Sequence, residues 1–252
     1  MQAEVWLLEL DETPEAAFAA GLDTTLLDAR ERERAAAFVR SVDRVLYTAA
    51  HVALRTVLGG LLGERPEDLV FTREPCPCCG APHGRPALAV PGGEASAPPP
   101  LHFSLSHTRG MVLIATAPVP VGADVELRPA PETVADLLSV LHPRERADIE
   151  AEEEPGRRAA AFGRIWARKE AYLKGLGTGL GRGTTLDDLG GDGTGTGPAG
   201  ERRHPAGWTL HDLPCGPAHH GAVALRSPHA TTEPPVLRHL SHETLRGGTL
   251  TA

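Results

Sequence analysis

Glycine and proline punctuate this chain so densely that few long regular elements fit within it: 28 Gly and 23 Pro among 252 residues. Proline lacks an amide donor and glycine adds backbone freedom, so each tends to end a helix or bend a strand where it falls. The 41% of hydrophobic residues still supplies apolar mass for a core, which excludes a wholly disordered chain. The length allows one large domain or two modest ones. No run of 18 apolar residues predicts a membrane-crossing helix. The start, Met1-Gln2-Ala3-Glu4-Val5-Trp6-Leu7, has no basic segment and carries an acid within its apolar stretch, which speaks against a signal peptide. A formal net charge of −8 is the reverse of what a sequence-independent grip on nucleic acid needs. Four cysteines, three of them in Cys76-Pro77-Cys78-Cys79, make no disulfide framework. The expectation is a cytoplasmic, soluble protein with neither nucleic acid nor membrane as partner.

Between the breakers, residues 1–10 read as a strand and 28–40 as a helix with a charged first half. From Asp43 to Leu62, Val45, Leu46, Ala49, Val52, Ala53 and Val57 recur at helical spacing, and Gly63 and Pro66 close the run. Residues 74–100 read as a loop rich in Pro, Cys and Gly. Residues 101–107 and 111–115 alternate as strands, joined by Thr108-Arg109-Gly110 into a hairpin. Pro118-Val119-Pro120 marks a boundary between an N-terminal half, 1–118, and a C-terminal half, 119–252. The second half opens with a strand at 121–126 and helices at 131–141 and 143–151. A strong helix follows at 157–174, closed by Gly175. Residues 175–207 read as a flexible loop, and 208–213, 221–226 and 236–240 as strands. Two similar halves, each mixing helices with mostly antiparallel strands, predict an α+β fold.

The basic residues carry a sharper signal. Of 25, only Lys169 and Lys174 are lysine, and both lie in Trp166-Ala-Arg-Lys-Glu-Ala-Tyr-Leu-Lys174. A compact ammonium meets a phosphate differently from a planar guanidinium, so a chain that otherwise uses arginine has a chemical reason to depart here. In the predicted helix, Phe162, Ile165, Trp166 and Leu173 build an apolar stripe, with Glu170 and Lys174 along its edge one turn apart. The plain alternative for that pair is a surface salt bridge worth a few tenths of a kcal/mol. Lys169 falls within the apolar sector, where it snorkels or meets an anion.

In Gly122-Ala-Asp-Val-Glu126, Asp124 and Glu126 share one strand face about 6.6 Å apart, while Val121, Ala123 and Val125 take the other. Such a carboxylate pair suits a hard cation such as Mg²⁺, or is simply solvated. In Leu101-His-Phe-Ser-Leu-Ser-His107, neighbours point to opposite faces, so Ser106 and His107 form no local nucleophile–base pair, and no Gly-x-Ser-x-Gly elbow occurs. His107 suits a phosphate donor or a satisfied structural histidine. Cys76-x2-Cys79-x3-His83, with Cys78 between, offers three zinc ligands, the fourth left open among Cys215 and several histidines; reduced thiols in a loop are the alternative. Gly84-Arg85-Pro86 would hold Arg85 on a stiff turn. Arg40, Arg44 and Arg55 make a positive zone on the first-half helices.

Taken in order, Gly84-Arg85-Pro86, Phe103-Ser-Leu-Ser-His107, Gly122-Ala-Asp-Val-Glu126 and Trp166-Ala-Arg-Lys-Glu-Ala-Tyr-Leu-Lys174 resemble the 4′-phosphopantetheinyl transferases of the surfactin-synthetase-activating type. That family's pattern is Gly-Lys-Pro, Phe-x-x-Ser-His, Gly-x-Asp-x-Glu and Trp-x-x-Lys-Glu-Ala-x-x-Lys, and the match spans about residues 30 to 226. The resemblance implies a pseudo-dimer of two α+β halves in one monomeric chain. It implies transfer of 4′-phosphopantetheine from coenzyme A to a serine of acyl- or peptidyl-carrier domains, with release of 3′,5′-ADP. By the same resemblance Asp124, Glu126 and Glu170 would be Mg²⁺ ligands. Lys174 would contact phosphates, and Glu170 or a metal-bound water would help deprotonate the acceptor. Arg55, Arg85, Ser106, His107 and Lys169 would bind coenzyme A, and Glu145 matches a weaker family acid. Arg85 stands where the family has lysine, and the Cys-rich loop is outside the general pattern. A zinc-knuckle adaptor and another Mg²⁺-dependent phosphotransferase are the competing readings; the second loses its commonest form because no Gly-x4-Gly-Lys-[Ser/Thr] loop occurs.

Overall fold

The structure is a computed structural model that describes residues 2–10, 18, 19, 21–89, 99, 101–191, 205–227, 233–247 and 250. Strand β1 (Glu4–Glu9) leads into helices α1 (Ala29–Ala36) and α2 (Ser41–Leu62), then a small hairpin of β2 (Phe71–Arg73) and β3 (Pro86–Leu88). A second hairpin follows, β4 (His102–Thr108) and β5 (Met111–Ala117), and then β6 (Val121–Leu127). Helices α3 (Pro131–Leu137), α4 (Pro143–Glu150) and α5 (Pro155–Leu176) precede β7 (Trp208–Leu213), β8 (His219–Arg226), β9 (Val236–His239) and α6 (Thr244–Gly247). The architecture is mixed α and β, with one sheet ordered β4-β5-β1-β9 and another β6-β8-β7. Pairing is antiparallel except that β9 runs parallel to β1, so the last strand returns to the first sheet.

Side-chain alternation sorts the layers. Trp6, Leu8, Val112 and Ile114 face α2, where Val52, Ala53, Val57 and Leu58 complete one core. Val5, Leu7, Leu113 and Ala115 point the other way and meet Val121, Ala123, Val125 and Val223 of the second sheet. Behind that sheet, Ala222, Ala224 and Leu210 pack on Ala167, Ala171 and Leu173 of α5. The order is helix, sheet, sheet, helix. Helix α2 is long and apolar enough to cross a membrane, but its apolar face is buried against the first sheet.

Local chemistry explains the boundaries. Asp28 and Glu31 form a reciprocal capping box on α1, which stops at Ala36 rather than reaching residue 40, because Arg40 is extended and starts α2. Gly63 ends α2 at φ 70, a conformation that costs glycine nothing. Thr108 pairs with Met111, so Arg109-Gly110 turns the hairpin, with Gly110 at φ 81. Residues 86–88, read as loop, form a strand because they pair with β2. Helix α5 does not stop at Gly175. It continues to Leu176 and is capped by Gly177 at φ 80. Residues up to Gly191 are not a free loop either: Leu189 is fully buried, and the Gly191 carbonyl accepts from Arg164 and Arg168. The rest of the expected loop, 192–204, lies outside the described residues.

Candidate active site

Two sheet edges and one helix meet at the site. Strand β6 runs beside β4, and the contact is stitched by side chains: the Ala123 amide donates to Ser104 Oγ at 2.9 Å and the Val125 amide to Ser106 Oγ at 3.3 Å. Helix α5 crosses the opposite face of β6 at Gly122. A Cβ there would overlap the Ala171 carbonyl oxygen and the Gly175 amide, so the crossing needs a bare backbone. The close approach brings Glu170 and Lys174 of the helix over Asp124 and Glu126 of the strand.

The charges then settle into a tight set. Lys174 Nζ lies 2.6 Å from Asp124 Oδ1 and donates to Ser106 Oγ at 2.9 Å, while Ser106 donates to the same Asp124 oxygen at 2.8 Å. Asp124 is 2% exposed, and its other oxygen, Oδ2, is buried without a hydrogen-bond partner. Burial, then repulsion from Asp124 and Glu170, lifts Glu126 to about 7, opposed by Lys174 and by a hydrogen bond from Trp166. Burial and Asp124 also raise Glu170. Three carboxylates therefore feel one another, with one ammonium among them. An orphaned buried oxygen inside an all-oxygen donor set fits a hard divalent cation.

Of the residues expected to bind coenzyme A, the structure brings Lys174, Ser106 and His107 together and keeps two others away. Ser106 is buried and spends its hydroxyl on Asp124, Lys174 and the β6 backbone, so it positions the site rather than facing a phosphate. His107 is exposed at the end of β4, its pKa lowered by desolvation and by the nearby His51 and Lys174 charges. Arg55 is fully buried. Its guanidinium pairs with Glu31 at 2.7 Å and Asp28 at 3.2 Å and donates to the Pro66 and Leu69 carbonyls. Arg55 is thus engaged within the first half, away from the acid cluster. Lys169 is likewise engaged: it is 2% exposed and pairs with the fully buried Glu145 at 3.0 Å. Its ammonium also donates to the Asp187 carbonyl, and Glu145 takes the His142 and Leu189 amides. Arg85 is engaged by Glu74 at 2.6 Å and donates to the Gly175 carbonyl at 2.7 Å, which ties the β2–β3 hairpin to α5.

Sequence reasoning missed residues on the first half. An open cleft of about 880 Å³ is lined by Arg30, His51, Arg73, Phe71 and Leu105. His51 and Lys174 both lie near enough to His107 to lower its pKa. Arg30 and Arg73 carried no signal, because arginine is nearly the only basic residue this chain uses. Ser104 did carry one: it sits two residues before Ser106 on the same strand face.

In the Cys-rich turn, Cys76, Cys79 and His83 place one ligand atom each within 4.8 Å of one another, and Cys79 Sγ lies 3.0 Å from His83 Nε2. Cys215 is not the fourth member. It is buried between the sheets, where a Cβ on Gly221 would strike its sulfur, and burial raises its pKa to about 11.

Comparison with known proteins agrees with this geometry. A family model for the 4′-phosphopantetheinyl transferase superfamily matches residues 120–214, the span from the start of β6 through β7. The chain is 31% identical over 214 residues to the 4′-phosphopantetheinyl transferase HetI of Nostoc sp., covering 84% of this chain and 82% of that protein. It is 25% identical over 154 residues to a 4′-phosphopantetheinyl transferase of Bacillus subtilis, covering 61% and 62%. It is 35% identical over 128 residues to the 4′-phosphopantetheinyl transferase AcpT of Salmonella typhi, covering 50% and 57%. With the acid cluster inside the matched span and the first of these relatives covered along most of its length, the chain belongs to the 4′-phosphopantetheinyl transferase superfamily.

Proposed function

We propose that this protein transfers the 4′-phosphopantetheine group of coenzyme A to a serine of acyl- or peptidyl-carrier domains, in an Mg²⁺-dependent reaction that releases 3′,5′-ADP. The observation that carries this reading is the Lys174–Asp124 contact at 2.6 Å, set among the mutually repelling Glu126 and Glu170. Asp124, Glu126 and Glu170 would hold the metal, as the orphaned Asp124 oxygen supports. Bound there, Mg²⁺ would neutralise charge on the pyrophosphate.

The chain's own groups account for the rest. The carrier serine Oγ attacks the β-phosphorus of coenzyme A, the bond to the bridging oxygen breaks, and its electron pair leaves with 3′,5′-ADP. Glu170, whose carboxylate lies beside Asp124, or a water held at the metal, would take the serine proton. Lys174, about one third exposed, swings its ammonium toward the phosphate oxygens as charge builds there. His107 donates beside it. Coenzyme A lies along the cleft of Arg30, His51 and Arg73, where the two guanidinium groups suit its phosphates and burial keeps the His51 ring neutral. Half-exposed Val42 and Leu127 beside Arg40 and Arg109 suit an acidic, apolar-faced carrier helix.

Two halves, 1–118 and 119–252, form a pseudo-dimer in this reading. Each sets one 22-residue helix, α2 or α5, against a mostly antiparallel sheet, and the site lies where they join. One chain thus holds both halves, consistent with a monomer, and free cysteines suit a cytoplasmic protein. The test is to mix the protein with coenzyme A, Mg²⁺ and an apo carrier and read the carrier's intact mass. A gain equal to phosphopantetheine is expected. No gain with any of several acyl- and peptidyl-carriers overturns the reading.

A further inference from the structure

The hairpin that carries Arg85 lacks the means to hold itself. Strands β2 and β3 contribute three residues each, and an isolated two-stranded ribbon of that size is marginal in water. The Glu74 amide extends the ladder to the Arg85 carbonyl at 2.9 Å, and the Gly84 amide returns to the Glu74 carbonyl at 2.9 Å. A Cβ on Gly84 would press into the Glu74 and Pro75 carbonyls, so the neck of the loop closes only around glycine. Beyond this neck, the turn is organised around a sulfur atom. Cys76 donates its amide to Ala81, its carbonyl accepts from Cys79 and Gly80, and Gly80 sits at φ 75. The Cys78 and Cys79 amides point at the Cys76 thiol. This is a Cys-Pro-x-Cys-Gly turn whose backbone donors converge on the first thiol, with the second thiol and an imidazole facing it.

We propose that Cys76, Cys79 and His83 hold a structural zinc ion, separate from the carboxylate cluster, that fixes the turn from which Arg85 reaches α5. Two thiolates and an imidazole are soft to borderline donors, which select zinc over Mg²⁺. A tetrahedral zinc with bonds of about 2.3 Å to sulfur and about 2.0 Å to nitrogen sets neighbouring ligand atoms roughly 3.5–3.8 Å apart. The three atoms already lie within 4.8 Å of one another. Binding releases the two thiol protons to solvent, and no redox step is involved. Cys78 is outside the mutually close set, but its thiol hydrogen-bonds that of Cys76, which makes it the nearest donor for the fourth position of a closed structural site. The ion substitutes for a hydrophobic core that so short a loop, residues 74–85, cannot build, and it keeps Arg85 aimed at Glu74 and Gly175.

This site does not depend on the transferase reading, and its test reads metal and not turnover. Protein purified from zinc-supplemented cells under reducing conditions should contain about one zinc per chain by elemental analysis. Cys79→Ser and His83→Ala should each lower that content at least fivefold, while Cys215→Ser leaves it unchanged. If the ligand variants fail to fold, cobalt titrated into the metal-free wild-type protein provides the second readout, with thiolate-to-cobalt absorption and intense tetrahedral bands expected. Removing zinc should also speed amide exchange across residues 74–85 while sparing the β6–β8 ladder. Wild-type protein that holds under a tenth of an equivalent, or that loses its zinc only on Asp124→Asn, overturns the assignment. So does zinc retained in both Cys79→Ser and His83→Ala, or lost in Cys215→Ser.

Discussion

Gly122 and Gly175 meet where α5 crosses β6, and neither has room for a side chain: a Cβ on Gly175 would lie 2.6 Å from the Trp208 ring, and one on Gly122 would enter the helix backbone. The two obstructions differ in kind. A tryptophan half-buried at the start of β7 can shift, but a helix backbone cannot. Gly122→Ala should therefore cost about 3 kcal/mol by overpacking and abolish transfer, while Gly175→Ala costs less than half of that. Thermal melts of both variants decide it, and equal melting temperatures would show that helix and strand are not held as closely as the geometry says.

Lys174 tests the site itself. Lys174→Ala should cut the transfer rate by about two to three orders of magnitude, since a preorganised charge donor is lost. Lys174→Arg should recover only part, because a guanidinium carries its charge further out and in a plane. Glu170→Gln should be worse than Lys174→Ala, because it removes a metal ligand and a base together. Steady-state rates with melting temperatures recorded alongside separate lost chemistry from lost folding. Wild-type rates in Lys174→Ala and Glu170→Gln would remove this helix from the active site.

Protons should control the metal-free protein through Glu126. Its carboxyl is raised from 4.5 to about 7, so the folded state holds the proton more tightly than the unfolded state does. The stability it contributes is fully present below about pH 4.5 and is lost as pH rises through 7. In EDTA, unfolding free energy should fall by at most about 1 kcal/mol between pH 6 and pH 8, after allowance for solvent screening. Glu126→Gln should flatten that slope, and Mg²⁺ should raise stability most at the alkaline end. Denaturant melts at both pH values, with and without Mg²⁺, measure each part.

The Lys169–Glu145 pair should matter for stability rather than for binding. Both side chains are almost wholly buried, so Lys169→Ala leaves Glu145 without its counter-charge, at a cost of about 3–5 kcal/mol. Near-isosteric Lys169→Met with Glu145→Gln should restore much of it. If Lys169 instead met coenzyme A, the same single change would raise KM for coenzyme A at nearly unchanged stability. Melting temperature against KM separates the two.

Elements written in short-range chemistry were legible from the chain. The capping box of α1, the Gly63 stop of α2 and the Arg109-Gly110 turn each need only neighbouring residues. The face-sharing of Asp124 with Glu126 and of Glu170 with Lys174 follows from strand and helix periods, while their union in one cluster was implied only by the family resemblance. The length of α5 was not legible. Glycine ends most helices it touches, but Gly175 continues this one because Gly122 and Trp208 leave space only for a hydrogen there.

Which cations reach the site was decided by tertiary structure alone. Arg55 and Lys169 carry the same charge as Lys174, yet each is turned inward by a carboxylate distant in sequence, Glu31 and Glu145. Ser106, given a coenzyme A contact only by the family resemblance, joins two sheets through the Val125 amide because β6 lies beside β4. Strand β9 likewise pairs with a partner more than 200 residues away. Sequence determines the chemistry each side chain offers, since that depends on the residue and its immediate neighbours. Packing decides which groups remain free to use it, since a buried charge is claimed by whatever opposite charge the fold brings within reach.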